Sequence, residues 1–166
     1  MLVLGIDPGL AECGMAAVDV NVGVRPRVLV TGTATTKPAG TLHKRVASIC
    51  EQVADFASGV ALCGEYPGVT GAEAWTYQGA RSTHQSAVQI SRVIERLRCF
   101  SERWGVFFYE VNTMTCKSVV GSGRKKPTPA LIARLCACPN GPPKNQHEAD
   151  AVAVALAAAR IHKARG

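Results

Sequence analysis

The sequence lacks any long hydrophobic run, and its first residues lack the features of a secretory signal. No stretch approaches the roughly 18 uncharged apolar residues that a membrane helix requires. The opening segment, MLVLGIDPGL, has no basic region and carries an aspartate within its apolar run, which is untypical of a signal peptide. We therefore expect a protein without membrane spans that works in the cytoplasm.

The sequence also lacks an organised set of cysteines. The seven cysteines are odd in number and scattered, and several lie within apolar runs. Cys136 and Cys138 form a C-x-C, but no second pair follows at the spacing of a zinc site. We interpret the cysteines as small buried hydrophobic residues of a protein in a reducing compartment.

Acidic residues are few relative to basic ones. The chain has 12 Asp and Glu against 19 Lys and Arg, a formal net charge of +7 and a pI near 9.2. An excess of positive charge favours polyanionic partners, nucleic acid above all. A length of 166 residues with 47% hydrophobic residues predicts one globular domain, 1–166.

The order of the predicted elements indicates an α/β fold. We predict strands at 2–7, 14–20, 27–36, 59–64 and 106–111, helices at 41–57, 82–103, 113–120, 129–136 and 146–163, and loops at 66–81 and 121–126. Turn residues at 21–23 join the second and third strands, so the first three predict an antiparallel meander. The later alternation of helix and strand predicts a mixed five-stranded sheet with helices on both faces.

Two acidic residues end apolar strands of this predicted sheet. Asp7 precedes Pro8-Gly9, and Glu65 follows the strand predicted at 59–64. A covered strand does not bury a carboxylate unless the charge is paired or bound to a metal, because an unpaired buried charge costs several kcal/mol. The alternative for Asp7 is a structural one, in which its side chain caps the Pro8-Gly9 turn.

The last predicted helix supplies two more candidates. His147 and Asp150 are three residues apart and share a helix face, whereas Glu148 points elsewhere. The rest of the helix is mostly Ala and Val, so its backbone can pack close to a sheet. The alternative is that these are residues of the first turn, where acids interact favourably with the helix dipole.

Carboxylates that converge from two strands and a helix suit Mg²⁺ or Mn²⁺. Two such ions can activate a water and stabilise the leaving 3′ oxygen in phosphodiester hydrolysis. The imidazole of His147 is a softer ligand that favours Mn²⁺, or else a proton carrier near neutral pH.

The set of motifs resembles the RuvC-type Holliday junction resolvases. The resemblance rests on LGIDPG at 4–9, the strand-ending Glu65, SVVGSG at 118–123 followed by basic residues, and HEADA at 147–151. It implies a ribonuclease H-like fold and metal-dependent nicking of four-way DNA junctions. It also implies a homodimer formed through the helix at 82–103, a branch-migration helicase as a further partner, and association with the nucleoid. The acidic positions of the family fall on Asp7, Glu65, His147 and Asp150, with His147 where most members carry a carboxylate.

Basic and aromatic residues form the predicted DNA interface. Lysines and backbone amides around the loop at 121–126 can hold phosphates, and aromatic rings stack on unpaired bases. We assign to DNA binding Lys117, Arg124, Lys125 and Lys126, the aromatic residues Tyr66, Trp75 and Tyr77, and also Arg81 and His84. Loop packing for the aromatic rings and an ordinary solvated helix face for Arg81 and His84 are the alternatives.

Three other functions remain open from the sequence. One is a RuvC-like nuclease of a phage or mobile element that acts on branched DNA in general. A second is a binding module that recognises junctions without cutting them. The third is a fragment of an actin-like or sugar-kinase ATPase, which the opening GIDPG alone suggests, although such proteins need a second phosphate loop and a longer chain.

Overall fold

The computed structural model describes residues 1–21, 24–61, 66–74, 84–123 and 125–166, without the side chains of 84–86. The elements are β1 (Leu2–Asp7), β2 (Glu12–Asp19), β3 (Arg27–Thr35), α1 (Leu42–Ala61), β4 (Val69–Glu73), α2 (His84–Arg103), β5 (Phe107–Val111), α3 (Thr113–Val119), α4 (Pro129–Leu135) and α5 (Gln146–Arg165). Among the described helices, none is long and apolar enough to cross a membrane.

The five strands form one sheet in the order β3-β2-β1-β4-β5. β1 pairs antiparallel with β2, and β2 with β3. β1 pairs parallel with β4, and β4 with β5. The predicted α/β fold, an antiparallel meander followed by parallel strands, is therefore confirmed. Because β1 and β4 are parallel neighbours, their carboxyl ends lie at the same edge of the sheet.

Side chains of β1 alternate between two separate hydrophobic layers, as the two-residue period of a strand requires. Val3 packs into the layer that contains α5 together with residues of α3 and α4. Leu4 and Ile6 pack into the layer formed with α1 and α2. Helices therefore cover both faces of the sheet, and β1 lies at the centre of the core.

Helix α5 packs directly against the backbone of the three central strands. A Cβ atom on Gly5 of β1 would lie 2.1 Å from the carbonyl oxygen of Ala151, and one on Gly71 of β4 would lie 2.6 Å from Cβ of Ala158. Every residue from 148 to 159 is buried. Small residues on both elements allow this contact, which fixes the position of the helix relative to the strand ends.

The fourth strand is not where the sequence predicts it. The segment 59–61 is the last turn of α1, so the strand predicted at 59–64 is wrong there, and 62–65 lie outside the described residues. The strand is instead Val69–Glu73, within the predicted loop. Val60 is a buried residue of helix α1. A short apolar run such as the one that contains it is compatible with either a strand or a buried helix segment. Gly71 favours a loop in the sequence, but in the structure it allows β4 to pack closely against α5.

Side chains cap the helices that border the site. Asn112 accepts a hydrogen bond from the backbone N–H of Thr115 at 2.7 Å and is the N-cap of α3. Thr128 caps α4 in the same way, and Asn145 caps α5. These caps satisfy backbone N–H groups of the first turn and fix where each helix begins.

The interpretation of the cysteines as buried residues is confirmed for three of them. Cys13, Cys116 and Cys136 are buried, whereas Cys99 is exposed, and all four are free thiols. Burial raises the pKa of Cys13 and of Cys116 to about 12. These two thiols therefore stay protonated, and they pack in the two hydrophobic layers, Cys116 in that of α5 and Cys13 in that of α1 and α2.

Candidate active site

Asp7 ends β1 at the edge of the sheet where α5 begins. It pairs with Gly14 of β2, and a Cβ atom on Gly14 would lie 2.0 Å from the carbonyl oxygen of His147. Glycine at this position therefore lets the first turn of α5 approach the ends of β1 and β2. The close approach places His147 beside Asp7, so the sheet and the helix contribute to one site.

Glu73 ends β4 next to Asp7 and was not among the site residues predicted from the sequence. Ile6 pairs with Ala72, and an acid follows each of them. The Glu73 Oε1 atom accepts a hydrogen bond from the Thr113 hydroxyl of α3 at 2.6 Å. Burial and then the charges of Asp7 and Asp150 raise the pKa of Glu73, which the Thr113 hydrogen bond partly offsets.

The signal for Glu73 was present but ambiguous. The run Val69-Thr70-Gly71-Ala72-Glu73 is a short apolar strand that ends in an acid, the same pattern that selected Asp7. Its glycine and the preceding Pro67-Gly68 indicated a loop instead. Glu65 itself lies outside the described residues. The described residues that follow it lead into the amino end of β4, at the sheet edge opposite Asp7.

His147 is held between two carboxylates. Its Nδ1 atom lies 2.7 Å from Oδ2 of Asp7, and its Nε2 atom lies 3.2 Å from Oε2 of Glu12 at the start of β2. The hydrogen bond with Asp7 raises the pKa of His147, although partial burial opposes this shift. The imidazole is therefore a near neighbour of Asp7.

Asp150 lies one turn further along α5 on the same face. Its Oδ1 atom accepts a hydrogen bond from the Gln146 side-chain amide at 3.0 Å, and its Oδ2 atom is 4.0 Å from Nζ of Lys126. Burial raises the pKa of Asp150, the hydrogen bond from Gln146 lowers it, and the charge of Asp7 raises it again. Gln146 also donates to the carbonyl of Pro127 and so connects the basic loop to α5.

The acids Asp7, Glu73 and Asp150 repel one another at this edge. Burial and mutual repulsion raise the pKa values of Glu73 and Asp150, and the lysine near Asp150 is largely solvent-exposed. A divalent cation would offset this repulsion, and carboxylate oxygens are the ligands that hard cations prefer. Within the described ranges, no three acidic, histidine or cysteine side chains are grouped as ligands. Asp7 instead bonds His147, and Glu73 bonds Thr113.

Glu148 points away from these acids, as predicted, and has a structural role. It is buried and accepts hydrogen bonds from the Thr31 hydroxyl at 2.7 Å and from the backbone N–H of Lys144 at 2.8 Å. Glu148 therefore ties the start of α5 to β3, which supports the position of His147 and Asp150 on another face of this helix.

The basic residues border the acidic edge on one side. Lys117 lies in the last turn of α3, the helix that begins next to Glu73 through Thr113. Lys125 and Lys126 are exposed and follow the α3–α4 loop, in which the Ser122 carbonyl accepts from the N–H of Lys125. Arg124 lies outside the described residues. Lys126 reaches the predicted site, with its Nζ atom 4.0 Å from Oδ2 of Asp150.

The structure does not bring Tyr66 to the acids. Tyr66 is 73% exposed but precedes the amino end of β4, where the Gly68 N–H donates to the Leu2 carbonyl. That edge is opposite the carboxyl ends of β1 and β4, so stacking by Tyr66 at the acids is not supported. Trp75, Tyr77 and Arg81 lie outside the described residues, as does the side chain of His84, the first residue of α2.

Fold and site together define the class of this protein. A mixed sheet of this order, with acids at the carboxyl ends of two central strands and on a helix packed across them, is the ribonuclease H-like fold that the resemblance implied. The family described as "Crossover junction endodeoxyribonuclease RuvC" matches residues 3–158. The chain belongs to this family of metal-dependent nucleases, which confirms the resemblance and the enzyme class read from the sequence.

Similarity to known members extends over nearly the whole chain. The RuvC of Paenarthrobacter aurescens is 29% identical over 156 residues, 93% of this chain and 78% of that protein. The RuvC of Streptomyces griseus is 30% identical over 159 residues, 94% of this chain and 74% of that protein. Thermus thermophilus RuvC, solved in complex with a Holliday junction substrate, superposes with a TM-score of 0.80 at 21% identity, covering 99% of this chain and 96% of that chain.

Proposed function

We propose that this protein nicks four-way DNA junctions with divalent ions held by Asp7, Glu73, His147 and Asp150. The observation that carries the proposal is the convergence of these side chains, from two parallel strands and one helix, at a single edge of the sheet. Family membership supplies the reaction class. We infer Mg²⁺ or Mn²⁺, and two ions, because the donor set is dominated by carboxylates with one imidazole.

When bound, the ions would supply a metal-activated water and charge stabilisation at the leaving 3′ oxygen. The four proposed ligands would hold the ions, and the hydroxyl of Thr113 keeps the Glu73 carboxylate in place. Lys126, 4.0 Å from Asp150, is placed to hold a phosphate of the strand that enters the site, and Gln146 fixes the loop that carries it.

Several features support DNA as the substrate. The net charge of +7 favours a polyanion, and Lys117, Lys125 and Lys126 lie on α3 and the α3–α4 loop beside the acids. Thermus thermophilus RuvC, which shares the fold, was solved with a Holliday junction. We infer that these three lysines bind the DNA backbone, and that Arg124 of the same loop does so as well.

Paired nicking of a junction requires two active sites, so we infer a homodimer that uses the exposed side of α2. We also infer that the protein acts in recombination on nucleoid DNA in the cytoplasm, with a branch-migration helicase as a partner. Sedimentation with and without junction DNA tests the dimer. A monomer in both conditions would contradict it.

A labelled four-way junction tests the proposed activity directly. We expect nicks only when Mg²⁺ or Mn²⁺ is present, and at least a 100-fold loss of rate in Asp7→Asn, by analogy with the ~10²–10³-fold cost of removing one electrostatic group from a catalytic site. Tight binding of the junction without any cut would indicate a binding module instead. Equal cutting of forks and four-way junctions would indicate a general branched-DNA nuclease.

A second pair of variants identifies the acid that accompanies Asp7. We expect Glu73→Gln to abolish nicking, because Glu73 ends the strand beside Asp7, and Glu65→Gln to leave the rate within about 3-fold of wild type, within ~0.7 kcal/mol. Junction binding, measured without divalent ions, serves as the control for folding of both variants. The opposite result would restore the assignment of Glu65.

A further inference from the structure

Glu12 contacts the imidazole of His147 on the side away from Asp7. The Nε2 atom of His147 lies 3.2 Å from Oε2 of Glu12, and the Nδ1 atom lies 2.7 Å from Oδ2 of Asp7. The two ring nitrogens therefore face two different carboxylates. Only one of these carboxylates, Asp7, belongs to the buried group of acids at the carboxyl ends of β1 and β4.

The local structure gives Glu12 this position. The chain turns after β1, and Glu12 is the first residue of the antiparallel strand β2, so it returns to the sheet edge that Asp7 occupies. Two residues later, Gly14 lies against the backbone of His147. The start of β2 is therefore in fixed register with the first turn of α5, and the Glu12 side chain reaches the imidazole from the exposed side.

An imidazole that binds a metal uses the lone pair of one nitrogen and carries its proton on the other. The Nδ1 atom of His147 lies 2.7 Å from Oδ2 of Asp7 and so faces the acids at the sheet edge. Nδ1 is thus the nitrogen suited to share an ion with Asp7, which leaves the proton on Nε2, facing Glu12.

We propose that Glu12 is a positioning residue that accepts the Nε2–H hydrogen bond of His147 and thereby directs Nδ1 toward the ion shared with Asp7. This inference rests on the proposed function, since it concerns the same ions. Glu12 itself does not bind the metal. It fixes the tautomer and the ring orientation of a ligand, so its effect is on metal affinity and not on the identity of the ligands.

Titration with Mn²⁺ alone at about pH 8, where the ligands are deprotonated, tests this role in the full-length protein. We expect Glu12→Ala to raise the Kd for Mn²⁺ by about 10–100-fold, the usual loss for a residue that orients a ligand. Glu12→Gln keeps an acceptor oxygen at the same reach, so we expect its Kd within about 3-fold of wild type. Glu51→Ala removes an exposed acid from α1 and controls for the change in net charge.

The ¹⁵N chemical shifts of His147 in the Mg²⁺-saturated protein provide a second readout. We expect a protonated Nε2 and an unprotonated Nδ1 in wild type and in Glu12→Gln, and loss of this single tautomer in Glu12→Ala. Unchanged Mn²⁺ affinity in Glu12→Ala, or the same weakening in Glu12→Gln and Glu12→Ala, would overturn the proposal. The second result would mean that only the charge of Glu12 matters.

Failure of this proposal is distinguishable from failure of the proposed function. A wild-type protein that binds Mn²⁺ but does not cut junctions contradicts the function alone. A wild-type protein that cuts junctions, beside a Glu12→Ala variant with full Mn²⁺ affinity and an unchanged His147 tautomer, contradicts the role of Glu12 alone.

Discussion

Glu73 and Asp150 are carboxylates that burial and neighbouring acids hold in an unfavourable environment. The pKa of each is raised in the folded protein, so the folded state favours the protonated form. The stabilisation that a raised carboxyl pKa brings is complete below the unfolded value and is lost as the pH rises through the folded value. At neutral pH without metal, these residues therefore lower the stability of the fold that positions them.

Replacing Glu73 by Gln removes this cost while keeping the acceptor for Thr113. We expect the Tm in EDTA at neutral pH to rise by about 2–4 °C, roughly 1 kcal/mol for a chain of this size, while nicking is lost. Differential scanning calorimetry measures the shift. Glu102→Gln, at an exposed position of α2, should leave the Tm unchanged, and a lower Tm in Glu73→Gln would show that the carboxylate is stabilising.

Thr113 orients Glu73 through a single hydroxyl, so its removal has a specific consequence. The hydrogen bond from Thr113 lowers the pKa of Glu73. In Thr113→Val this pKa rises further, and we expect about a 10-fold lower nicking rate and an acidic limb of the pH–rate profile shifted to higher pH. Thr113→Ser keeps the hydroxyl and should retain the wild-type profile. Similar profiles for Val and Ser would exclude the hydrogen bond as the cause.

At the scale of elements, helix α5 determines the geometry of the site because it carries His147 and Asp150 and packs on three strands. Its closest contact is at Gly5, where an added Cβ would meet backbone atoms of Ala151 and Ala155. Backbone atoms cannot rotate away as a side chain does. A substitution at Gly5 must therefore displace the helix or the strand, and with it the separation between Asp7 and His147.

We expect Gly5→Ala to lower the free energy of unfolding by about 2–4 kcal/mol, the upper range for overpacking a close contact, and to reduce nicking in the remaining folded protein. Gly59→Ala is the matched control. Gly59 lies in α1, and nothing lies within 4 Å of its added Cβ, so the helix should gain about 0.5–1 kcal/mol. Urea denaturation measures both, and equal effects of the two substitutions would contradict the packing argument.

Local sequence patterns predict most of the strands and helices but not the position of the fourth strand. The antiparallel meander and α5 follow from local patterns, namely apolar strands that end at turn residues and a long helix rich in Ala and Val. The fourth strand does not follow from a local pattern. Val60 and Val69 both lie in short apolar runs bounded by glycine, so either run could form the strand. Pairing with β1 and contact with α5 select Val69–Glu73 as the strand, and neither interaction is visible in the local sequence.

At the scale of the whole molecule, metal binding should stabilise the folded state. Glu73, His147 and Asp150 must be deprotonated to bind an ion, and the pKa of each is raised. Protons therefore compete with the metal at pH values above the ordinary pKa values of these groups. Mn²⁺ at about 100 times its Kd should add about 2.7 kcal/mol to the free energy of unfolding. The gain should shrink as the pH falls from about 8 to about 6.

Thermal denaturation at several Mn²⁺ concentrations and pH values measures this linkage. Asp7→Asn removes one ligand and should lose most of the Mn²⁺-dependent gain, whereas Asp55→Asn, in α1 on the opposite face of the sheet, should keep it. If the Mn²⁺-dependent gain in stability is independent of pH, or persists in Asp7→Asn, the ions bind at another site.

Asp7, His147 and Asp150 were identifiable from the sequence because each belongs to a local pattern, a strand that ends in an acid or a shared helix face. The same is true of Glu148, whose direction follows from the helical period alone. Glu73 and Glu12 required the folded chain. Their roles arise from the pairing of β4 with β1 and from the return of β2 beside α5, contacts between residues far apart in sequence, which side-chain periodicity cannot encode.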